Sequence, residues 1–184
     1  ALYRKLNPPK QRVVGMAGVL DSARYRYFIA KEAGVSVENV EAVVLGQHGD
    51  EMVPVRSCCR IAGMPVEKFV SKEKLEAIES RTRKAGGEVV GLLGFGSAFV
   101  SPAFAALEMA EAIIYDKRKI LPGCAFLDGE YGVKGLPIGV PAILGKGGVE
   151  KGSELELTEG EKAALGKSVE SVKKTCGEVD AMLK

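Results

Sequence analysis

The hydrophobic positions of this chain form helical and strand-like stretches that follow one another without a regular order. Apolar residues recur at helical spacing over 21–33, 72–93 and 99–114, and again from residue 159 toward the end. Runs rich in β-branched residues occupy 40–45 and 52–55. Because strands and helices do not alternate as βαβ units, the pattern predicts an α+β fold with a largely antiparallel sheet packed with long helices.

Capping residues mark the expected starts of the helices. Asp21 is placed to cap the first long helix, and Ser71 to cap the helix over 72–93. Thr158 is followed three residues later by Glu161, which is the spacing of a capping box. The chain from 159 onward is therefore predicted to be a well-started helix.

Two further expectations concern burial and strand division. Residues 99–114 are so rich in apolar side chains that a buried core helix is the simplest prediction. Residues 40–45 are predicted to form one buried strand, with 52–55 as its antiparallel partner. Glycine turns divide the apolar runs after residue 120, which predicts four separate strands at 124–127, 136–140, 142–144 and 155–157.

Composition limits the classes of function. The chain has 184 residues, 46% of them hydrophobic and 27% charged, as expected for one globular domain. A net charge of +2 gives no support for nucleic-acid binding. No apolar run is long enough to span a membrane and no signal peptide is recognisable, so a cytoplasmic protein is expected. Reduced thiols and no metal site are expected for the cysteines, which lack metal-ligand spacing: Cys58, Cys59, Cys124 and Cys176.

The only histidine, His48, stands between Gln47 and Gly49 just after an apolar run. Glycine lets the backbone approach a ligand closely, and imidazole exchanges protons near neutral pH. His48 is therefore a candidate proton acceptor. Two alternatives are a turn histidine without chemistry and a metal site with Asp50, which would lack a second imidazole.

Asp21 and Arg24 are three residues apart and share a helix face. They could form an ordinary surface ion pair. Alternatively, Asp21 could hydrogen-bond one imidazole nitrogen of His48, while Arg24 binds a substrate carboxylate through its two-pronged guanidinium group. Spacing alone does not choose between these arrangements.

A dinucleotide-binding fingerprint is missing from the sequence. No GxGxxG motif stands between a strand and a helix with an acidic residue about 20 positions later. The glycine-rich stretch at 91–96 lies between two predicted helices, so it is interpreted as a loop. The sequence has no P-loop either.

Five segments in the same order resemble the lactate/malate dehydrogenase family, and they extend over nearly the whole chain. They are VGMAGVLDSARYR at 14–26, LGQHGDEMVP at 45–54, GSAF at 96–99, LDGEYG at 127–132 and GVPAILG at 139–145. The match is closest to the lactate-dehydrogenase-like malate dehydrogenases of this family. Gln47 departs from the pattern, since related malate dehydrogenases often have glycine there and lactate dehydrogenases glutamate.

The resemblance implies NAD-dependent oxidation of malate to oxaloacetate. It assigns His48 as the proton acceptor and donor, Asp21 as the group that orients its imidazole, and Arg24 as the residue that binds the C1 carboxylate. Gly96 and Ser97 match the pocket wall, where a small residue leaves room for a dicarboxylate. Met16 falls where the family contacts the nicotinamide of NAD.

The resemblance also implies a domain division. Residues 1–14 would be the remnant of a preceding helix and connection, and residues 15–184 the substrate-binding catalytic domain. The family's dinucleotide-binding half would precede Ala1, so we expect no hydride transfer from this chain alone. A homo-oligomer is expected. The alternatives are an L-lactate dehydrogenase of the same family and a standalone, non-catalytic domain that acts in subunit association.

Overall fold

The structure is a computed structural model that describes residues 2–183, without the side chains of Leu2 and Arg4. Ala1 and Lys184, at the ends of the two predicted segments, lie outside the described residues. The helices are α1 (Leu2–Leu6), α2 (Ala17–Ala33), α3 (Lys72–Leu93), α4 (Val100–Ile114) and α5 (Glu159–Met182). The strands are β1 (Val40–Glu41), β2 (Val44–Gly46), β3 (Met52–Pro54), β4 (Arg60–Ile61), β5 (Met64–Pro65), β6 (Lys119–Asp128), β7 (Lys134–Gly145) and β8 (Gly148–Gly152).

The strands form two sheets. The larger has the order β3-β2-β7-β6, with β8 paired to the end of β7, and the smaller has the order β1-β4-β5. Every strand pair in the described part of the chain is antiparallel. The predicted fold class, an antiparallel sheet with long helices, is therefore confirmed.

The prediction of a single strand over 40–45 is wrong. The chain leaves the small sheet after β1 and enters the large sheet at β2. Val40 is buried in the small sheet and Val44 in the large one, so burial alone does not mark the crossing; the exposed Glu41 at the end of β1 interrupts the apolar run. The antiparallel pairing of the next strand was predicted correctly, since Leu45 lies opposite Val53.

The strands after residue 120 also differ from prediction. The two strands expected at 136–140 and 142–144 are one continuous strand, β7, which contains Pro141. Pro141 has no N–H to donate, and neither has its register partner Pro122 in β6; its carbonyl accepts a hydrogen bond from the Ser153 N–H at 2.8 Å. Residues 155–157 form no strand, because this segment packs beneath α5 with Leu157 buried.

Helix α2 begins at Ala17, four residues earlier than predicted, and Asp21 is not its N-cap. The residues expected to form a small turn are instead its first turn. The reason is close packing: a Cβ atom on Gly18 would lie 2.0 Å from the Pro122 carbonyl oxygen of β6. Asp21 therefore stands inside the helix, where it is buried. The helix ends at Gly34 in the left-handed conformation.

The two longest helices agree with the sequence pattern. Ser71 caps α3, whose buried face consists of Leu75, Ile78, Thr82 and Ala85. The capping box of α5 is formed by Thr158 and Glu161. The Glu161 carboxylate also accepts hydrogen bonds from the N–H and the hydroxyl of Ser57, at 3.0 and 2.8 Å, which fixes the start of α5 to the turn before β4.

Helix α4 is not the buried core helix that its composition predicts. It buries Ala105, Met109 and Ala112 and leaves most of its other large apolar side chains in solvent. Packing through small residues lets α4 approach α2 and β7 closely, and the large residues then point away. We call the exposed set the α4 surface: Phe99, Val100, Phe104, Leu107 and Ile114.

All four cysteines are free thiols, of which Cys59 is fully buried and the others are half-buried. Among the described residues, no helix combines the length and the apolar character needed to cross a membrane.

The strand that leads to His48 crosses β7 at two glycines. Gly46 and Gly139 are register partners, and a Cβ atom on Gly139 would lie 2.5 Å from the Gly46 carbonyl oxygen. This close approach sets the height of the following loop above the sheet.

The replacement Gly139→Ala is expected to lower the free energy of unfolding by about 1–3 kcal/mol, since the methyl group must displace backbone. Gly147→Ala is the control, because nothing lies within 4 Å of its Cβ position; we expect a change below about 0.5 kcal/mol there. Urea denaturation of both variants measures this. Equal losses would contradict the close approach.

Candidate active site

His48 lies in the loop between β2 and β3, at the edge of the large sheet. Its side chain is 51% exposed, so one face of the imidazole is open to a ligand. The backbone on either side turns through glycines, with φ of 83° at Gly46 and 104° at Gly49.

Asp21 meets this imidazole from beneath. Its Oδ2 lies 2.8 Å from His48 Nδ1, and its side chain is 2% exposed. A carboxylate accepts the Nδ1 proton, so in the neutral imidazole Nε2 is the free acceptor. The contact brings together two residues that are 27 positions apart in the sequence.

The same contact governs the pKa of His48, which is raised above its usual value. The largest cause is the hydrogen bond to Asp21, and the negative charge of Asp21 adds to it. Partial burial and the positive charge of Arg24 oppose the rise. The imidazole can therefore take up a proton and hold it beside a buried carboxylate.

Arg24 follows Asp21 by one turn of α2. Its Nη1 lies 3.8 Å from Asp21 Oδ1, and its side chain is 12% exposed. Burial lowers the pKa of Arg24, and the charge of Asp21 partly compensates. A guanidinium group stays protonated near neutral pH, so Arg24 is a fixed cation beside the histidine.

Helices α3 and α4 complete the surroundings of Arg24. Arg24 Nη2 donates a hydrogen bond to the hydroxyl of Ser101 at 3.3 Å. On the side of α3, a Cβ atom on Gly86 would lie 3.7 Å from Arg24 Nη1. The sequence did not point to either residue, although Ser101 is the lone polar residue between 98 and 107.

A cavity of about 680 Å³ opens between α2 and α4, with Arg24 and Ser101 in its wall and Phe104 beside them. Its lining is mostly apolar, and His48 does not contribute to it. Arg24 thus faces two places, the carboxylate of Asp21 and this cavity.

The other predicted site residues lie apart from this group. Gly96 and Ser97 are exposed in the loop between α3 and α4, and in the described structure no hydrogen bond or ion pair joins them to His48, Asp21 or Arg24. Met16 precedes α2 and packs half-buried against the core that contains Val19 and Leu20. Within residues 2–183, no group of three His, Cys, Asp or Glu side chains is arranged to hold a metal ion.

Replacement of Asp21 by Asn is expected to lower the pKa of His48, because an amide stabilises the imidazolium less than a carboxylate. The single histidine gives one imidazole signal, so NMR titration of the chain reads this pKa directly. Asp50→Asn, an exposed acid two residues from the histidine, is the control and should leave the pKa unchanged. An unchanged pKa in Asp21→Asn would contradict the contact.

The same contact predicts how stability depends on pH. Since the folded pKa of His48 is raised, protonation of His48 stabilises the fold. This contribution is complete below the unfolded value of about 6.5 and is lost as pH rises through the folded pKa. Thermal denaturation at a series of pH values should show the loss in the parent and a smaller one in Asp21→Asn.

Residues 18–182 match the family described as lactate/malate dehydrogenase, alpha/beta C-terminal domain. Over 172 residues the chain is 58% identical to a malate dehydrogenase of Geobacillus kaustophilus (strain HTA426). The aligned residues cover 94% of this chain and 55% of that protein. It is 54% identical over 178 residues to malate dehydrogenase 1 of Anaeromyxobacter dehalogenans (strain 2CP-C), covering 97% of the chain and 57% of the relative. The chain thus spans a little over half the length of these relatives.

Solved structures agree with the sequence matches. The malate dehydrogenase from Salinibacter ruber superposes with a TM-score of 0.94 at 46% identity, covering 98% of this chain and 59% of that one. The lactate dehydrogenase from Cryptosporidium parvum, complexed with lactic acid and nicotinamide adenine dinucleotide, has a TM-score of 0.94 at 43% identity, with 97% and 58% covered. The chain belongs to the lactate/malate dehydrogenase family and contains its α/β C-terminal domain.

Proposed function

We propose that this chain is the substrate-binding, catalytic half of an NAD-dependent malate dehydrogenase. The observation that carries the proposal is the 2.8 Å contact between His48 and the buried Asp21, with Arg24 beside the same carboxylate. In this proposal residues 15–184 form the substrate-binding domain, and residues 1–14 lead into it from a preceding nucleotide-binding half.

His48 is the proton acceptor in the oxidation of malate. Its Nδ1–H donates to Asp21, so Nε2 takes the proton of the C2 hydroxyl as that carbon becomes a carbonyl. Asp21 stabilises the imidazolium that results. In the reverse direction the imidazolium returns the proton to the carbonyl oxygen of oxaloacetate.

Arg24 binds the C1 carboxylate of the substrate. Its guanidinium is mostly buried and fixed by Ser101, and a two-pronged contact to a carboxylate is stronger in such surroundings than in water. The arginine thereby places the C2 hydroxyl against His48.

The donor set fits a reaction that a bound nicotinamide completes. His48, Asp21 and Arg24 exchange a proton and bind an anion, but none of them accepts two electrons. NAD supplies the acceptor for the hydride that leaves C2. Of the residues in this chain, Met16 at the start of α2 would touch the nicotinamide, while Gly96 and Ser97 border the far carboxylate of the substrate.

Malate is favoured over lactate as the substrate. The relatives at 54% and 58% identity are malate dehydrogenases, and a residue as small as Gly96, in the pocket wall that the family resemblance implies, would leave room for a second carboxylate. L-Lactate dehydrogenase is the second candidate, because a lactate dehydrogenase superposes equally well, with a TM-score of 0.94. Relative rates of the native enzyme with oxaloacetate and pyruvate distinguish the two.

We also propose that the protein forms a homo-oligomer. Single exposed apolar residues are common, but the α4 surface residues within the helix recur at gaps of four, three and seven positions, which puts them on one face, and Phe104 is 68% exposed. A second copy that covers this surface would remove it from water. Association through α4 also supports the alternative of a non-catalytic subunit-association domain. The free cysteines fit a reducing compartment, so we place the protein in the cytoplasm.

The catalytic proposal is tested by joining this chain to the N-terminal part of the Geobacillus kaustophilus malate dehydrogenase, of which this chain covers 55%. We expect the fusion to oxidise NADH with oxaloacetate, whereas the 184-residue chain alone does not. His48→Asn should abolish turnover and leave NADH binding intact. Arg24→Lys should chiefly raise KM, because the substrate carboxylate loses about 2–5 kcal/mol of binding free energy.

Arg81→Lys, an exposed arginine of α3, is the matched control and should change neither constant. A folded fusion with near-normal turnover after His48→Asn would contradict the assigned role. Robust oxaloacetate reduction by the 184-residue chain itself would contradict the proposal that it is half of an active site.

Assembly is tested with Phe104→Glu in the same fusion. A charge on the α4 surface cannot be buried without a partner, so sedimentation should show dissociation to smaller species. Met64→Glu, an exposed apolar residue of β5, is the control and should leave the assembly unchanged. Unaltered sedimentation of the Phe104 variant would show that α4 does not form the interface.

A further inference from the structure

Ser168 is a fully buried hydroxyl in the middle of α5, far from His48 in sequence. Its Oγ accepts a hydrogen bond from the main-chain N–H of Gln47 at 2.7 Å. Gln47 immediately precedes His48, so this bond joins the last helix to the peptide that carries the imidazole. No part of the proposed proton transfer uses it.

Ser168 also packs against the residue before Gln47. A Cβ atom on Gly46 would lie 2.4 Å from Ser168 Oγ and 3.0 Å from its Cβ. Gly46 has a second close contact, in which its carbonyl oxygen lies against Gly139 of β7. The end of β2 is therefore enclosed by α5 and β7.

The rest of that loop is held by the Met52 N–H, which donates to the Gly49 carbonyl at 3.1 Å, and by the contact of His48 with Asp21. The Gln47 side-chain oxygen is buried without a hydrogen-bond partner in the described structure, and nothing lies within 4 Å of a Cβ atom on Gly49. Half of the His48 side chain is in solvent. Without Ser168, the N–H of Gln47 would lack its acceptor, and the loop would have to move to satisfy it.

Helix α5 is a firm support for this bond. Leu165 and Val172, one turn to each side of Ser168, are buried in the same core as Leu45 of β2. The helix start is fixed through Glu161, which binds both the capping residue Thr158 and Ser57. Ser168 therefore offers its oxygen from a fixed place.

We propose that Ser168 is a positioning residue for His48: by holding the Gln47 N–H, it sets the imidazole at hydrogen-bonding distance from Asp21. Asp21 is carried by α2 and the His48 loop is fixed to α5, and both helices pack on β2. The distance between proton acceptor and carboxylate thus depends on two helices. Its catalytic consequence rests on the function proposed above, whereas the positioning itself does not.

The test uses Ser168→Ala in the 184-residue chain, with NMR titration of the single histidine. We expect the pKa of His48 to fall from its raised value toward about 6.5, as the bond to Asp21 lengthens. The groups that face the imidazole, Asp21 and Arg24, are unchanged in this variant. A shift therefore reports position and not a new charge.

Thr82→Ala is the matched control. Thr82 is equally buried, but its hydroxyl donates within α3, to the Ile78 carbonyl at 2.8 Å. This variant should lose stability and keep the parent pKa of His48. A parent-like pKa in Ser168→Ala, or the same shift in both variants, would overturn the proposal. Circular dichroism verifies folding; if Ser168→Ala does not fold, Ser168→Cys replaces it, with a weak acceptor of similar size and the same expectation.

Kinetics of the fusion enzyme add a second measurement. Ser168→Ala should lower kcat by up to about a hundredfold, the effect of a displaced catalytic group, and leave KM for oxaloacetate near the parent value. A pKa shift in the 184-residue variant, together with a parent fusion that shows no activity, would support the positioning and contradict the proposed function. An active parent fusion with unchanged kcat and pKa in the variant would contradict the positioning alone.

Discussion

The buried carboxylate of Asp21 is the constraint around which the site is arranged. A charge that is 2% exposed must have a cationic or hydrogen-bonding partner, because leaving it unpaired is destabilising by roughly 3–5 kcal/mol. His48 and Arg24 supply these partners from two directions. The same electrostatics that make Asp21 tolerable inside the protein give the imidazole its affinity for a proton and keep a guanidinium beside it.

Close backbone packing brings these groups together. Gly18 lets α2 lie against β6, and the pair of Gly46 and Gly139 lets β2 cross β7. Larger residues at these places would separate the helix from the sheet that carries the histidine loop. The chemistry of the three side chains thus depends on glycines, which have no side chain, and on hydroxyls such as that of Ser168, which fix main-chain groups.

Much of this was predictable from sequence where the signals were local. The caps and buried face of α3, and the capping box of α5, follow from spacing within one helix. The division of 40–45 between two sheets and the exposure of α4 were not predictable, since they depend on distant neighbours. The contact of Asp21 with His48 came from family resemblance, because spacing cannot show a contact across 27 residues. Ser168 stood on the apolar stripe of α5, a polar residue in a buried register, and that was its only signal.

The contact of Gly18 with the Pro122 carbonyl has a consequence for the rotation of α2. With 3.6 residues per turn, a slip of one residue would rotate the helix by about 100° and turn Asp21 away from the imidazole. A Cβ atom at this position would lie 2.0 Å from that oxygen, so only glycine fits there and α2 can pack on β6 in one rotation. Gly18, three residues before Asp21, therefore fixes the rotation of α2 about its axis, and with it the direction in which the Asp21 carboxylate points.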